Sequence, residues 1–325
     1  MTRVFVAMAV LVLCTMACGR SPVVQPCAER AGESAVLTCD PTDLCEAPAF
    51  SVRNRTSNAL VALDRSCSMA SLVGERSKWS RAVEAVTDVV REPRANLRWG
   101  LSLFPGRSNV SACQLDPIAI PVRAGQEERI EWLLTQALDD DDPYHPGEPC
   151  GTNLAGAIQQ IVDEEPFAGL TGKHHVVLIS DGRHAGCAGS GAAAIADVQT
   201  LLRHDVRTVV VGFGGREDTG VLQALGEAGG VPASSDVAYH LAGLDDLGDV
   251  LERVVQVLGC QYPLTIEAEL SRVRVMFDGA DPIPRDRGTG EGWQYTDEVL
   301  TFSGRSCERL LAGEIESIEI ALDCA

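Results

Sequence analysis

At 325 residues the chain has room for one domain of roughly 200 residues and something smaller. Hydrophobic residues make up 45% and aromatics only 5%, which describes a core of Ala, Val, Leu and Ile such as helix-covered parallel sheets use. A formal charge of -19 excludes a phosphate backbone, and so nucleic acid, as the natural partner and leaves cations and cationic surfaces.

The first residues read as an export signal spanning 1–18. Arg3 supplies the positive end, Val4 to Leu13 is a short apolar core, and Thr15-Met-Ala-Cys18 places a small residue before a cysteine. The apolar core is too short for a permanent membrane span. The junction resembles a bacterial lipoprotein signal, which implies that Cys18 is the lipidated first residue of a membrane-anchored envelope protein. Thr15 and Met16 depart from the Leu and smaller residue usual there, and a secreted or periplasmic protein is the alternative.

Twelve cysteines accord with export. Setting aside Cys14 and Cys18 leaves Cys27, Cys39, Cys45, Cys67, Cys113, Cys150, Cys187, Cys260, Cys307 and Cys324, an even set that reads as a disulfide framework. The absence of any Cys-x-x-Cys argues against a structural zinc or a redox motif.

Residues 19–57 are polar, cysteine-containing and punctuated by Pro, Gly, Ser and Thr, so they read as a stalk or linker. From 58 to 259, strand and helix patterns alternate. Strands are predicted at Ala59 to Leu63, Leu97 to Phe104, His175 to Ser180, Val206 to Phe213 and Val237 to Leu241, with an edge strand at Ile118 to Val122. Helical periods fall at Lys78 to Arg91, Gln126 to Leu138, Leu154 to Asp163, Ala192 to His204, Thr219 to Ala228 and Leu244 to Leu258. Alternation of nearly all-apolar strands with helices predicts an α/β fold, a doubly wound, mostly parallel sheet with helices on both faces. From 260 to 325 the pattern changes to alternating strands around Thr265 to Leu270, Val273 to Phe277, Val299 to Phe302 and Ile315 to Leu322, which predicts a small disulfide-containing antiparallel β domain.

In such sheets, ligands bind beyond the carboxyl ends of the strands. Three loops at that edge carry oxygen donors: Asp64-Arg-Ser66-Cys-Ser68 after the first strand, Pro149-Cys-Gly-Thr152-Asn-Leu at a helix start, and Ser180-Asp181-Gly after a strand. Each of these residue types also caps helices, and Thr152 reads equally as an N-cap.

Together these pieces resemble the von Willebrand factor type A family. The match runs from about Asn58 to Gly259 and rests on the Asp-x-Ser-x-Ser signature, the Gly-Thr helix start, the strand ending Ser-Asp-Gly, and Val209-Val-Val-Gly-Phe-Gly-Gly215 before a helix ending Glu227-Ala-Gly-Gly230. The resemblance implies a metal-ion-dependent adhesion site. Ser66, Ser68 and Thr152 would be hydroxyl ligands of a divalent cation, Mg²⁺ before Mn²⁺ or Ca²⁺, with Asp64 and Asp181 acting directly or through water. It implies a non-enzymatic protein that engages an acidic residue of a protein partner through the metal. Asp64→Ala is then expected to abolish binding and leave the fold largely intact.

Cys67 stands where the family usually carries Gly. A thiolate suits a hard ion poorly, so a disulfide is expected instead, to Cys187 at the same sheet edge, with Cys113 and Cys150 as further partners to consider. Two other functions remain open: a metal-dependent hydrolase with Asp181, Glu148 or His184 as general base, and a structural envelope module with a vestigial site. Asp139 to Asp142 reads as a solvated loop more than a calcium site, and His174 and His175 lack a metalloprotease motif around them. Nothing in the sequence sets the oligomeric state.

Overall fold

Buried along its whole length, the segment Ser57–Asp64 is the strand around which the chain is organised. Its odd-numbered residues Ala59, Val61 and Leu63 face one apolar cluster, while Leu60 and Ala62 face another. That two-sided burial is why the run carries no polar alternation. The computed structural model describes residues 36–37, 49–107, 111, 113–147, 150–182, 185–213, 219–231, 239–242, 247–266, 269–280 and 282–322. The export segment 1–18 with Cys18, and Cys27, Cys39, Cys45 and Cys324, lie outside the described residues.

In chain order the elements begin with β1 (Val36–Leu37), β2 (Ala49–Arg53) and the central β3 (Ser57–Asp64). A small hairpin, β4 (Leu72–Val73) and β5 (Arg76–Ser77), leads into α1 (Lys78–Arg91), β6 (Leu97–Phe104), β7 (Ile120–Arg123) and α2 (Glu127–Gln136). Then come α3 (Leu154–Glu164), β8 (Lys173–Ser180), α4 (Gly191–Arg203), β9 (Val206–Phe213), α5 (Thr219–Ala228), β10 (Tyr239–Ala242) and α6 (Leu247–Cys260). The chain ends in β11 (Gln261–Pro263), β12 (Thr265–Ile266), β13 (Val273–Phe277), β14 (Gly292–Thr296), β15 (Val299–Ser303), α7 (Arg305–Leu311) and β16 (Ser317–Leu322).

The main sheet has the order β10-β9-β8-β3-β6-β7, parallel except for β7, which runs antiparallel to β6 at the edge. The fold is therefore α/β and doubly wound, with small antiparallel additions. Strand order reverses direction at β3, so the crevice between β3 and β8 at their carboxyl ends is the place where such a sheet takes ligands. Helices α1 and α6 bury Val83, Val86, Val90, Val250, Leu251 and Val254 on one face. The opposite face is covered by α3, α4 and α5 through Leu154, Ile158, Val198 and Leu225. Trp79 of α1 is fully buried and its indole N–H donates to the Ala137 carbonyl at 2.7 Å, fixing the end of α2 to the start of α1.

The β-rich C-terminal part shares its core with the sheet. Val275, Phe277, Phe302, Leu310 and Ile318 join the same apolar cluster as α1 and α6, and the Cys260–Cys307 disulfide ties α6 to α7. All of the described residues fall in one compact unit. The part of the expected linker nearest the sheet is not free: β2 adds antiparallel to β16, which pairs in turn with β13. A five-residue strand whose partner is more than two hundred residues away leaves too short an alternation to stand out from polar neighbours. No helix among the described residues is long and apolar enough to cross a membrane.

At the amino end of β8, far from the crevice, Lys173 is partly buried. Its ammonium donates to the carbonyls of Gly259 at 3.2 Å and Gln261 at 3.0 Å and sits 3.8 Å from the Tyr262 ring centre. Burial, with the charges of Arg207 and Arg55 adding to it, lowers the pKa from 10.5 to about 7. Below that value the native state carries the desolvation cost. Above the unfolded value the amine is neutral in both states and the cost is gone, so native stability recovers as pH rises from about 7 to 10.5. Lys173→Met is expected to gain about 2 kcal/mol relative to the parent at pH 6 and to lose that advantage at pH 10, as read by urea denaturation.

Candidate metal centre

Asp64 ends β3 fully buried. One carboxylate oxygen accepts the Ser66 N–H at 2.8 Å, turning the chain out of the sheet, and the other accepts the Ser180 hydroxyl at 2.5 Å across to β8. The Ser66 carbonyl then accepts the Met69 N–H at 2.9 Å and starts the short 3₁₀ turn Cys67–Ala70. Because the Ser66 side chain is not spent on capping that turn, its hydroxyl faces the crevice set. Ser66 Oγ and Ser68 Oγ lie 2.9 Å apart, and Ser68 Oγ donates to Asp181 Oδ1 at 2.8 Å. Four of the five predicted site residues thus form one connected chain of hydrogen bonds.

Thr152 arrives by a separate route. Its backbone exchanges both hydrogen bonds with Ala185, at 2.9 and 3.0 Å, which lays the second loop against the third just beyond Asp181. The N-cap of α3 is Asn153, whose side-chain oxygen accepts the Gly156 N–H at 3.1 Å. Thr152 is therefore not the capping residue. It is buried, in the loop that the Ala185 bridge lays beside the one after Asp181.

The disulfides differ from the expected pairing. Cys67 bonds Cys150 and Cys187 bonds Cys113, so the pair Cys67–Cys187 is not formed. The reason lies in the bridge at Ala185. It lays the second loop against the third, where Gly186, with φ of 77°, turns the chain on toward the segment after β6 that carries Cys113, and this leaves Cys150, its Cα 5.2 Å from that of Cys67, to pair with the first loop. Asn153 Nδ2 donates to the Cys113 carbonyl at 2.6 Å and joins the two bridged pairs. The first two oxygen-bearing loops are thus cross-linked to each other, and the third is cross-linked to the segment after β6 and bridged to the second through Ala185.

Two basic residues complete the surroundings. Arg65 is buried, and burial lowers its pKa to about 10, which leaves it charged at neutral pH. Its guanidinium donates to the carbonyls of Tyr144 at 2.8 Å, His145 at 2.9 Å and Pro105 at 3.0 Å, and to that of Gly106. It fastens the loop after β6 and the turn around Tyr144 to the end of β3, a task that needs the planar fork of arginine. Lys78, the first residue of α1, places its ammonium 2.6 Å from Asp181 Oδ2, with the carboxylate side chain 1% and the lysine side chain 14% exposed.

The donor set fits a small hard cation. A six-coordinate Mg²⁺ with ligand distances of 2.0–2.1 Å requires adjacent oxygens about 2.9 Å apart, and the two serine hydroxyls stand at 2.9 Å. Burial, and secondarily the charge of Asp181, pushes the Asp64 carboxyl up to about 6. The Lys78 ammonium answers one of the two crowded carboxylates, which leaves the pair open to a further cation. Among the described residues no group of three His, Cys, Asp or Glu is placed to hold a metal, so any ion here depends on hydroxyl oxygens.

Other sequence candidates lie elsewhere. Asp139 and Asp142 accept backbone N–H groups of Asp141 and Tyr144 at 3.0 and 2.8 Å within their own turn. His174 and His175 begin β8, at the end of the strand opposite Asp181, and burial depresses both pKa values. Glu148 and His184 lie outside the described residues.

No protein-family model matches the sequence, and no curated protein does. Solved structures are similar over part of the chain. Proximal thread matrix protein 1 from the mussel byssus aligns over 65% of this chain and 50% of its own, at 16% identity and a TM-score of 0.47. The conserved hypothetical protein BatB from Bacteroides thetaiotaomicron aligns over 61% and 97%, at 15% identity and a TM-score of 0.45. The manganese-loaded TRAP protein of Plasmodium vivax aligns over 63% and 75%, at 15% identity and a TM-score of 0.43. The chain spans about half the length of the mussel protein it matches.

Proposed function

We propose that this protein is a non-enzymatic binding protein of the cell envelope that holds a divalent cation at the carboxyl edge of its sheet and there engages an acidic residue of a protein partner. The supporting observation is the pair of serine hydroxyls, 2.9 Å apart, set against two buried carboxylates. Bound there, Mg²⁺, or Mn²⁺ or Ca²⁺ in its place, supplies an exchangeable coordination position for a carboxylate oxygen.

The protein's own residues divide the work. Ser66 and Ser68, with Thr152 from the second loop, offer neutral oxygens that take little charge from the ion. Asp64 has both oxygens engaged, by Ser66 and Ser180, and Asp181 has both engaged, by Ser68 and Lys78. The two carboxylates therefore contribute charge and orient the hydroxyls. The export segment and Cys18 favour placing the protein in the cell envelope through a lipid anchor.

The hydrolase alternative needs a free general base close to the ion. Asp181 is held by its ion pair, which weighs against that role. Calorimetric titration of the metal-free protein with MgCl₂, MnCl₂ and CaCl₂ tests the proposal. Saturable binding at one site is expected, and its absence with all three of Mg²⁺, Mn²⁺ and Ca²⁺ would leave the structural-module reading in its place.

A further inference from the structure

Lys78 belongs to none of the three oxygen-bearing loops, yet its ammonium reaches Asp181 Oδ2 at 2.6 Å while Asp181 Oδ1 accepts from Ser68. The hairpin makes this contact: Ser71 and Lys78 are joined at its base by the Lys78 N–H to Ser71 carbonyl bond of 3.1 Å, so the chain leaves the site at Ser68 and returns to it at Lys78. The pair is almost wholly shielded from water, with side-chain exposures of 14% and 1%. Shielding keeps its electrostatic effect from being screened away.

We infer that Lys78 is a built-in counter-charge that trades metal affinity for anion affinity. The inference rests on the metal-site reading above. The Arg65 guanidinium is engaged by four backbone carbonyls and its charge is a constant background; Asp64 and Asp181 with the Lys78 ammonium leave the rest of the cluster one negative charge. Adding a divalent ion turns this into one positive charge. Without the ammonium the same ion would be neutralised in full, and the open coordination position would attract a carboxylate less. Lys78 and Ser68 hold the two oxygens of one carboxylate, Asp181, so the ammonium repels the ion and attracts the ion's anionic ligand at once. A residue whose only role was to brace the loops would move both affinities in the same direction.

The test uses Mn²⁺ as the ion and acetate as the carboxylate, on the purified protein and the variants Lys78→Met and Lys78→Arg. Mn²⁺ affinity is read by calorimetry, and acetate binding to the Mn²⁺-loaded protein by water-proton relaxation. Lys78→Met is expected to bind Mn²⁺ about tenfold more tightly and acetate about tenfold more weakly, with Lys78→Arg close to the parent on both. Melting in EDTA is expected to be lowest for Lys78→Met, which leaves Asp181 buried without its cation, and Mn²⁺ is expected to restore that variant most. Equal Mn²⁺ affinity in all three proteins, or both affinities falling together in Lys78→Met, overturns the role of Lys78 alone. No Mn²⁺ binding by any of them overturns the metal-site reading itself and this inference with it.

Discussion

Replacing Ser66 and Ser68 together with alanine is expected to lower Mg²⁺ affinity by about 100-fold or more while the metal-free protein loses only about 1–2 kcal/mol. The two hydroxyls stand at an octahedral edge spacing, 2.9 Å, beside the two buried carboxylates. Their own contribution to the fold is small. Ser66 donates to Ser68, Ser68 donates to Asp181, and Asp181 keeps its ion pair with Lys78 when both are gone. Calorimetry with MgCl₂ and urea denaturation in EDTA, on the same double variant, separate the two effects. A double variant that still binds Mg²⁺ within tenfold of the parent would remove the serines from the ligand set.

Asp64→Ala is a less selective test than the sequence implies. Its carboxylate accepts the Ser66 N–H and the Ser180 hydroxyl, both buried, so removing it orphans the Ser66 N–H and leaves the Ser180 hydroxyl only the Gly182 carbonyl at 3.2 Å. Such an orphan costs about 1–3 kcal/mol. The expectation of an intact fold therefore gives way to one of marked destabilisation, and loss of binding in that variant would not by itself report on the metal.

The central sheet was legible because its strands are apolar runs cut off by polar turns, and β3 ends in a signature that names its own edge of the sheet. The three oxygen-bearing loops were legible for the same reason, since parallel strands deliver their carboxyl ends to one place. Lys78 was not, because it lies ten residues beyond Ser68 and only the hairpin folds it back; an ammonium at the start of an amphipathic helix looks like any solvated charge. Arg65 sits inside the signature at a position without a side-chain requirement, and its partners are backbone carbonyls, which sequence does not display. Among the short C-terminal elements, β14 is hidden because it opens on a glycine and carries Gln294 and Thr296 in a polar, glycine-rich stretch, and α7 because seven residues give too few helical periods to count. Cysteine pairing depends on which loop leans on which, and here the Thr152–Ala185 bridge decides it.

The two disulfides at the crevice should therefore matter to stability and to the site alike. Cys67–Cys150 closes a loop with a sequence separation of 83 and Cys113–Cys187 one of 74. The chain-entropy relation gives about 4–5 kcal/mol for either bridge taken alone, as an upper value, because the two loops overlap and the second closure gains less than the first. Cys67→Ser with Cys150→Ser releases the first loop from the second, and Cys113→Ser with Cys187→Ser releases the third from the segment after β6. Urea denaturation is expected to show a loss of about 3–4 kcal/mol for each pair of substitutions. Metal affinity is expected to fall about tenfold with the Cys67 and Cys150 pair, because Thr152 is then positioned relative to Ser66 and Ser68 only through Ala185. The Cys113 and Cys187 pair should weaken it less, since Asp181 remains held by Ser68 and Lys78. Loss of stability with unchanged affinity in both pairs would mean that hydrogen bonds alone position the ligands and that the bridges serve only the fold.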